Sequence, residues 1–173
     1  MSRAIERAAP IRLAVFDVDG VMTDGRFSLD DQGNESRSFH TRDGLGLKAL
    51  MRHEVAVGVI TARSSPLVAR RMAELGIEHL MQGREDKRAA LDELLGRLDL
   101  AEHQTAYTGD DLVDWPAMSR CGLKCAPADA TPWIRQRADF ITQCRGGFGA
   151  VREVCELILE ARGSLAAWQA GFE

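Results

Sequence analysis

The sequence predicts a doubly wound, Rossmann-like α/β fold on a mainly parallel sheet, with a β-hairpin inserted after the first strand and no cap domain. Three observations predict it. Short apolar runs rich in β-branched residues alternate with longer segments of helical period, the pattern of successive βα units. Helix start and stop signals bracket several of the longer segments. Acidic residues crowd just after the apolar runs, where the carboxyl ends of parallel strands form a ligand-binding edge.

In chain order, strands are expected at residues 11–16, 55–60, about 77–81, 105–108, 123–126 and 139–141. Helices are expected near 45–53, 66–75, 86–98, 112–120, 132–137 and 150–162. Ser65 before Pro66 and Thr131 before Pro132 are helix-start pairs, and Gly76 after Leu75 is a stop. Residues 26–29 and 35–39 read as extended and are joined by Asp30-Asp31-Gln32-Gly33-Asn34, a polar turn. That hairpin is expected directly after the first strand and is too short to cover a site. The domain is expected to run over residues 11–163, with an N-terminal extension at 1–10 and a tail at 164–173 whose end, from Trp168, frays.

Composition narrows the function classes. A length of 173 residues supports one hydrophobic core, and 45% apolar with 28% charged residues is ordinary for a globular domain. The net charge of −4 offers no general attraction to nucleic acid or anionic lipid. The first ten residues carry charges and no apolar run, so neither a signal peptide nor a membrane span is expected there, and a cytoplasmic location is. Cys121, Cys125, Cys144 and Cys155 lack CxxC spacing and sit among apolar neighbours, which suits reduced, buried thiols. His40, His53, His79 and His103 show no metal-binding spacing.

The informative residues stand at the strand ends. Asp17-Val18-Asp19-Gly20 follows the first strand, Thr61-Ala62-Arg63 the second, and Gly109-Asp110-Asp111-Leu112-Val113-Asp114 the fourth, so five aspartates converge on one edge. Crowded carboxylates repel one another, and a bound cation relieves them. Oxygen ligands favour magnesium, which is commonly held by one or two carboxylates together with a substrate phosphate. The i, i+2 pair Asp17 and Asp19 lets one carboxylate attack a phosphoryl group while the other moves a proton. Gly20 leaves room for backbone amides to approach phosphate oxygens. Asp111 and Asp114 would also suit the first turn of a helix, where the dipole favours acids, and Lys87 would also suit a solvated, charged helix face.

The order of a DxDG after the first strand, a Thr after the second, a Lys in Glu85-Asp86-Lys87 and a later GDDxxD resembles the haloacid dehalogenase superfamily over residues 11–162. The resemblance implies a magnesium-dependent phosphatase with Asp17 as nucleophile and metal ligand. It implies Asp19 as general acid/base with its carbonyl on the metal, Thr61 on the phosphate, Lys87 neutralising charge and Asp110 completing the Mg2+ site. It places Asp111 and Asp114 in supporting positions around the metal. An aspartate at position 19 points to phosphoryl transfer, because dehalogenases of the superfamily differ there.

Thr23–Gly25, residues 42–50, Ile60–Arg63 and residues 146–159 are similar to a capless subgroup acting on a small phosphorylated sugar acid, 3-deoxy-D-manno-octulosonate 8-phosphate. A nonulosonate 9-phosphate is the alternative substrate. The subgroup implies a homotetramer packed through the hairpins; Phe27, Leu29 and Phe39 would be costly to leave exposed as a patch and are expected between subunits, and the net charge leaves no nucleic-acid or membrane partner expected. Arg63 is the candidate partner of the substrate carboxylate, and Arg145 in the Gly-rich tail is a candidate for reaching a neighbouring site. Ala62, Trp115 and Phe148 depart from the subgroup's usual residues and bear on the substrate more than on the chemistry. A signalling receiver domain also gathers acids, a Thr and a Lys, but it places the acidic pair first and the phosphorylated Asp later, the reverse of this order.

Overall fold

The computed structural model describes residues 2–173. Six parallel strands form one sheet in the order β5-β4-β1-β6-β7-β8: β1 (Leu13–Phe16), β4 (Ala56–Ile60), β5 (His79–Met81), β6 (Thr105–Thr108), β7 (Leu123–Ala126) and β8 (Phe140–Ile141). Strands β2 (Ser28–Leu29) and β3 (Glu35–Ser36) form a separate antiparallel pair. The first strand is central, with Leu13–Phe16 in register with Ala56–Val59 on one side and with Thr105–Thr108 on the other.

The centre of the sheet is apolar on both faces because both are covered, as a parallel sheet requires. On one face, α2 (Thr41–Arg52), α3 (Pro66–Leu75) and α7 (Ala150–Ala161) pack with Ala14, Phe16, Val57 and Val59. On the other, α4 (Lys87–Leu98), α5 (Trp115–Met118) and α6 (Pro132–Arg135) pack with Leu13, Val15, Ile60 and Tyr107. Each fully buried aliphatic side chain in these layers contributes about 1.5–3 kcal/mol of transfer free energy.

Several expectations are corrected. The segment at 112–120 is a short turn of 3-10 helix over Leu112–Asp114 that leads into the single-turn α5, because Asp111 caps the first turn and Pro116 restarts the helix. The hairpin does not follow β1 directly; a tight helical turn at Val18–Met22 intervenes. The extension at 1–10 holds a helix, α1 (Ser2–Ala8), which buries Ala4 and Ala8 against the core. The tail does not simply fray: α8 (Leu165–Ala170) seats Trp168 at 7% exposure, with the Arg152 guanidinium 4.5 Å from its ring. All four cysteines are free and three are buried, but Cys144 is only half-buried. No described helix is long and apolar enough to cross a membrane.

Candidate active site

The sheet order places the three strand-end motifs side by side, because β4, β1 and β6 are neighbours. Asp17 leaves the end of β1 with its amide on the Thr108 carbonyl (3.1 Å), tying the first motif to the β6 end. Thr61, at the end of β4, donates its amide to the Met81 carbonyl (3.0 Å) and is buried. Asp110 begins the loop after β6. A cavity of about 200 Å³ opens over these residues, lined by Asp17, Asp19, Thr61, Arg63, Lys87 and Asp110 among others. Hollows of about 370 and 430 Å³ lie elsewhere, lined by none of the strand-end motifs, so size does not locate this site.

Lys87 opens α4 and reaches the site almost wholly buried. Its Nζ donates to Asp17 Oδ1 and to Asp114 Oδ1, both at 2.7 Å. Burial by itself lowers the lysine pKa, but the two carboxylates outweigh it and the net shift is upward, so the ammonium stays charged. Lys87 is thus no solvated surface lysine.

Asp114 is fully buried and fully used. Oδ1 also accepts the Tyr107 hydroxyl (3.2 Å), and Oδ2 accepts the amides of Asp110 (3.0 Å) and Asp111 (3.3 Å). One oxygen each from Asp17, Asp110 and Asp114 lies within 4.8 Å of the others. Geometry alone would make the three a metal triad, but the hydrogen bonds on Asp114 identify it as the anchor of the loop and of Lys87. Asp111 caps its own turn, accepting the Leu112 amide at 2.7 Å.

Asp17 and Asp110 are under electrostatic pressure. Burial, then the charge of Asp114, pushes Asp17 up to about 7 despite Lys87. Burial, then the charges of Asp114, Asp17 and Asp111, pushes Asp110 up to about 8. A divalent cation offsets this repulsion. The backbone is shaped for the crowding: Gly20 has φ +90°, and a Cβ there would lie 2.2 Å from Asp110 Oδ2. Only glycine admits the Asp110 carboxylate against this turn. The Gly-rich tail closes the turn from behind, since a Cβ on Gly146 would lie 1.8 Å from the Gly20 carbonyl oxygen and the Gly147 amide donates to Val21 O at 3.0 Å. Gly146 and Gly147 thus form a packed support for the turn. Asp17 and Asp110 therefore suit a hard divalent cation.

The Asp19 carboxylate is held by one of its two oxygens. Oδ1 receives Arg37 Nη1 at 2.7 Å, and the Arg37 side chain is 1% exposed. Arg37 Nε meets Glu35, and Glu35 meets Arg63 at 3.5 Å. The Arg63 guanidinium stands 4.2 Å over the Phe27 ring. The hairpin, expected to be too short to cover a site, thus reaches it through Arg37. Arg145 does not line the chain's own cavity; it stands on the surface, 71% exposed, and pairs with Asp129 at 3.3 Å. Arg37 and Tyr107 were missed by sequence reasoning, although Glu35 and Arg37 share one face of a strand by their i, i+2 spacing.

Carboxylates at the ends of the two central strands, a buried lysine between them and a threonine beside them define a hydrolase of the haloacid dehalogenase class. The comparisons agree. A family profile for haloacid dehalogenase-like hydrolases matches residues 73–153. A 3-deoxy-D-manno-octulosonate 8-phosphate phosphatase KdsC of Yersinia pestis is 48% identical over 161 residues, 93% of this chain and 86% of that protein. A crystal structure of the Moraxella catarrhalis 3-deoxy-D-manno-octulosonate 8-phosphate phosphatase with magnesium, phosphate and KDO superimposes with TM-score 0.98 at 41% identity, covering 100% of this chain and 99% of that one. A cobalt-bound deoxy-D-mannose-octulosonate 8-phosphate phosphatase from Haemophilus influenzae gives TM-score 0.92 at 40% identity, covering 96% and 98%. The chain belongs to the haloacid dehalogenase-like hydrolase family.

Proposed function

We propose that the chain is a magnesium-dependent phosphatase that converts 3-deoxy-D-manno-octulosonate 8-phosphate to the free sugar acid and phosphate, a step toward lipopolysaccharide precursors, through an aspartyl-phosphate on Asp17. The observation that carries the reading is the pair of buried contacts from Lys87 to Asp17 and Asp114. They hold Asp17 by Oδ1 and leave Oδ2 without an ion-pair partner among the described residues, and Asp17 lines a cavity together with Thr61 and Asp110. The relatives' names and the magnesium, phosphate and KDO in the Moraxella structure support the substrate and the ion.

In the first half-reaction Asp17 Oδ2 attacks phosphorus, the bond to the sugar oxygen breaks, and Asp19 gives that oxygen a proton. In the second, Asp19 takes a proton from water as the water oxygen attacks the aspartyl-phosphate. The Asp17 carboxylate and inorganic phosphate are released. Thr61 holds a phosphate oxygen, and Lys87 offsets charge beside the nucleophile. Asp17, Asp110 and the Asp19 carbonyl would hold the magnesium, which supplies positive charge that draws a phosphate dianion into an acidic cavity. Arg63, which lines the cavity, is suited to the substrate carboxylate by its planar pair of donors.

A homotetramer packed through the hairpins belongs to this reading. Phe27 and Leu29 are 43% and 62% exposed, which supports their burial between copies. Phe39 is partly buried and packs in part against the chain's own core. A tetramer is expected in analytical ultracentrifugation, and a clean monomer would contradict it. The unpaired cysteines support a reducing, cytoplasmic setting.

The function is tested by phosphate release from 3-deoxy-D-manno-octulosonate 8-phosphate beside other sugar phosphates, including a nonulosonate 9-phosphate, with magnesium or EDTA. Preferred, magnesium-dependent turnover of the octulosonate ester is expected. Preference for another ester overturns the substrate, and magnesium-independent turnover overturns the mechanism.

A further inference from the structure

Arg37 is the one site contact supplied by the hairpin that grips a residue of the reaction rather than the cavity wall. Its guanidinium is buried between two carboxylates, Asp19 on one side and Glu35 on the other, while Nη2 is buried with no hydrogen-bond partner among the described residues. Burying an arginine is costly, and such ion pairs seldom stabilise a fold more than well-packed apolar side chains of similar volume. A buried guanidinium with one donor unmet is therefore a poor device for stability alone. Its geometry suits another task. Arg37 meets only Oδ1 of Asp19, at 2.7 Å, and the other oxygen accepts no hydrogen bond among the described residues. The Asp19 side chain is 25% exposed and hangs on a two-bond linkage from a turn, so without the contact it would sample several rotamers.

We infer that Arg37 is a positioning residue for Asp19: the hairpin holds the proton-transferring carboxylate by one oxygen so that the other faces the leaving oxygen of the ester. The inference rests on the phosphatase reading above. It ties the placement of the hairpin to the chemistry, through the chain Arg63, Glu35, Arg37, Asp19.

The distinguishing measurement is leaving-group dependence. An alkoxide leaves poorly without a proton, whereas p-nitrophenolate leaves without help, so loss of a placed general acid costs the sugar phosphate far more than p-nitrophenyl phosphate. Both esters are measured on the same preparations of wild type, Arg37→Ala and Arg37→Lys, so that any loss of folded enzyme scales both rates alike. For Arg37→Ala, kcat on the sugar phosphate is expected to fall about tenfold or more beyond its fall on the aryl ester, with KM little changed. Arg37→Lys is expected to recover part of the difference. Equal falls on both esters, no change, a rise on the sugar ester, or an effect confined to KM overturns the assignment. If wild-type hydrolysis of both esters survives Asp17→Asn, the phosphatase mechanism has failed, and that outcome is separate from the Arg37 ratio.

Discussion

The Lys87 ammonium lies 2.7 Å from Asp17 and 2.7 Å from Asp114, so one buried cation bridges the end of the first strand and the loop after β6. Removing it leaves two buried carboxylates facing each other. Lys87→Met is expected to destabilise the fold by about 3–5 kcal/mol in urea unfolding. It is expected to slow hydrolysis by about 10²–10³-fold, the scale of losing one preorganised charge at a reacting centre.

Tyr107 supports the same carboxylate from below through a single hydrogen bond. Burial and the charge of Asp114 push its hydroxyl pKa well up, so it acts only as a neutral donor. Tyr107→Phe is expected to cost about 1.5–3 kcal/mol of stability, the worth of a hydrogen bond to a charged group, with less than about a tenfold fall in kcat. Thermal melts and steady-state rates on one preparation separate this from the Lys87 result.

Gly20→Ala sets a Cβ 2.2 Å from Asp110 Oδ2 at a backbone φ of +90°. Strain of about 1–3 kcal/mol is expected, together with a displaced Asp110. Calorimetric titration is expected to show magnesium affinity reduced about tenfold or more, where the conservative appearance of the change suggests none.

Asp17 and Asp110 have folded-state pKa values raised to about 7 and about 8, above those of an unfolded chain. In metal-free protein the folded state therefore binds more protons than the unfolded state between roughly pH 4 and pH 8, and stability falls as pH rises through that window. Magnesium must displace those protons, so its affinity rises with pH. Thermal melts at pH 6 and pH 8, with and without magnesium, are expected to show the larger metal-induced rise in Tm at pH 8.

The core architecture was legible because the strands of a covered parallel sheet are continuous apolar runs, and residues 105–108 and 123–126 are read from sequence with the observed bounds. Asp17, Thr61 and Asp110 were legible for a related reason: parallel strands put the residue after each run at one edge. What escaped the reading depends on tertiary contact. The α1 helix is a short Ala-containing segment whose order comes from packing Ala4 and Ala8 against the core. The parts played by Asp114 and Arg37 depend on which oxygen meets which donor, and spacing along the chain cannot say that.

The central claim is a covalent phosphoryl group on Asp17. The most direct measurement is rapid acid quench of the enzyme mixed with magnesium and radiolabelled sugar phosphate, followed by peptide mapping. The account predicts label on the peptide containing Asp17, released by hydroxylamine as an acyl phosphate is, and absent in Asp17→Asn. Turnover with no labelled protein at any quench time, or label that persists in Asp17→Asn, would contradict it.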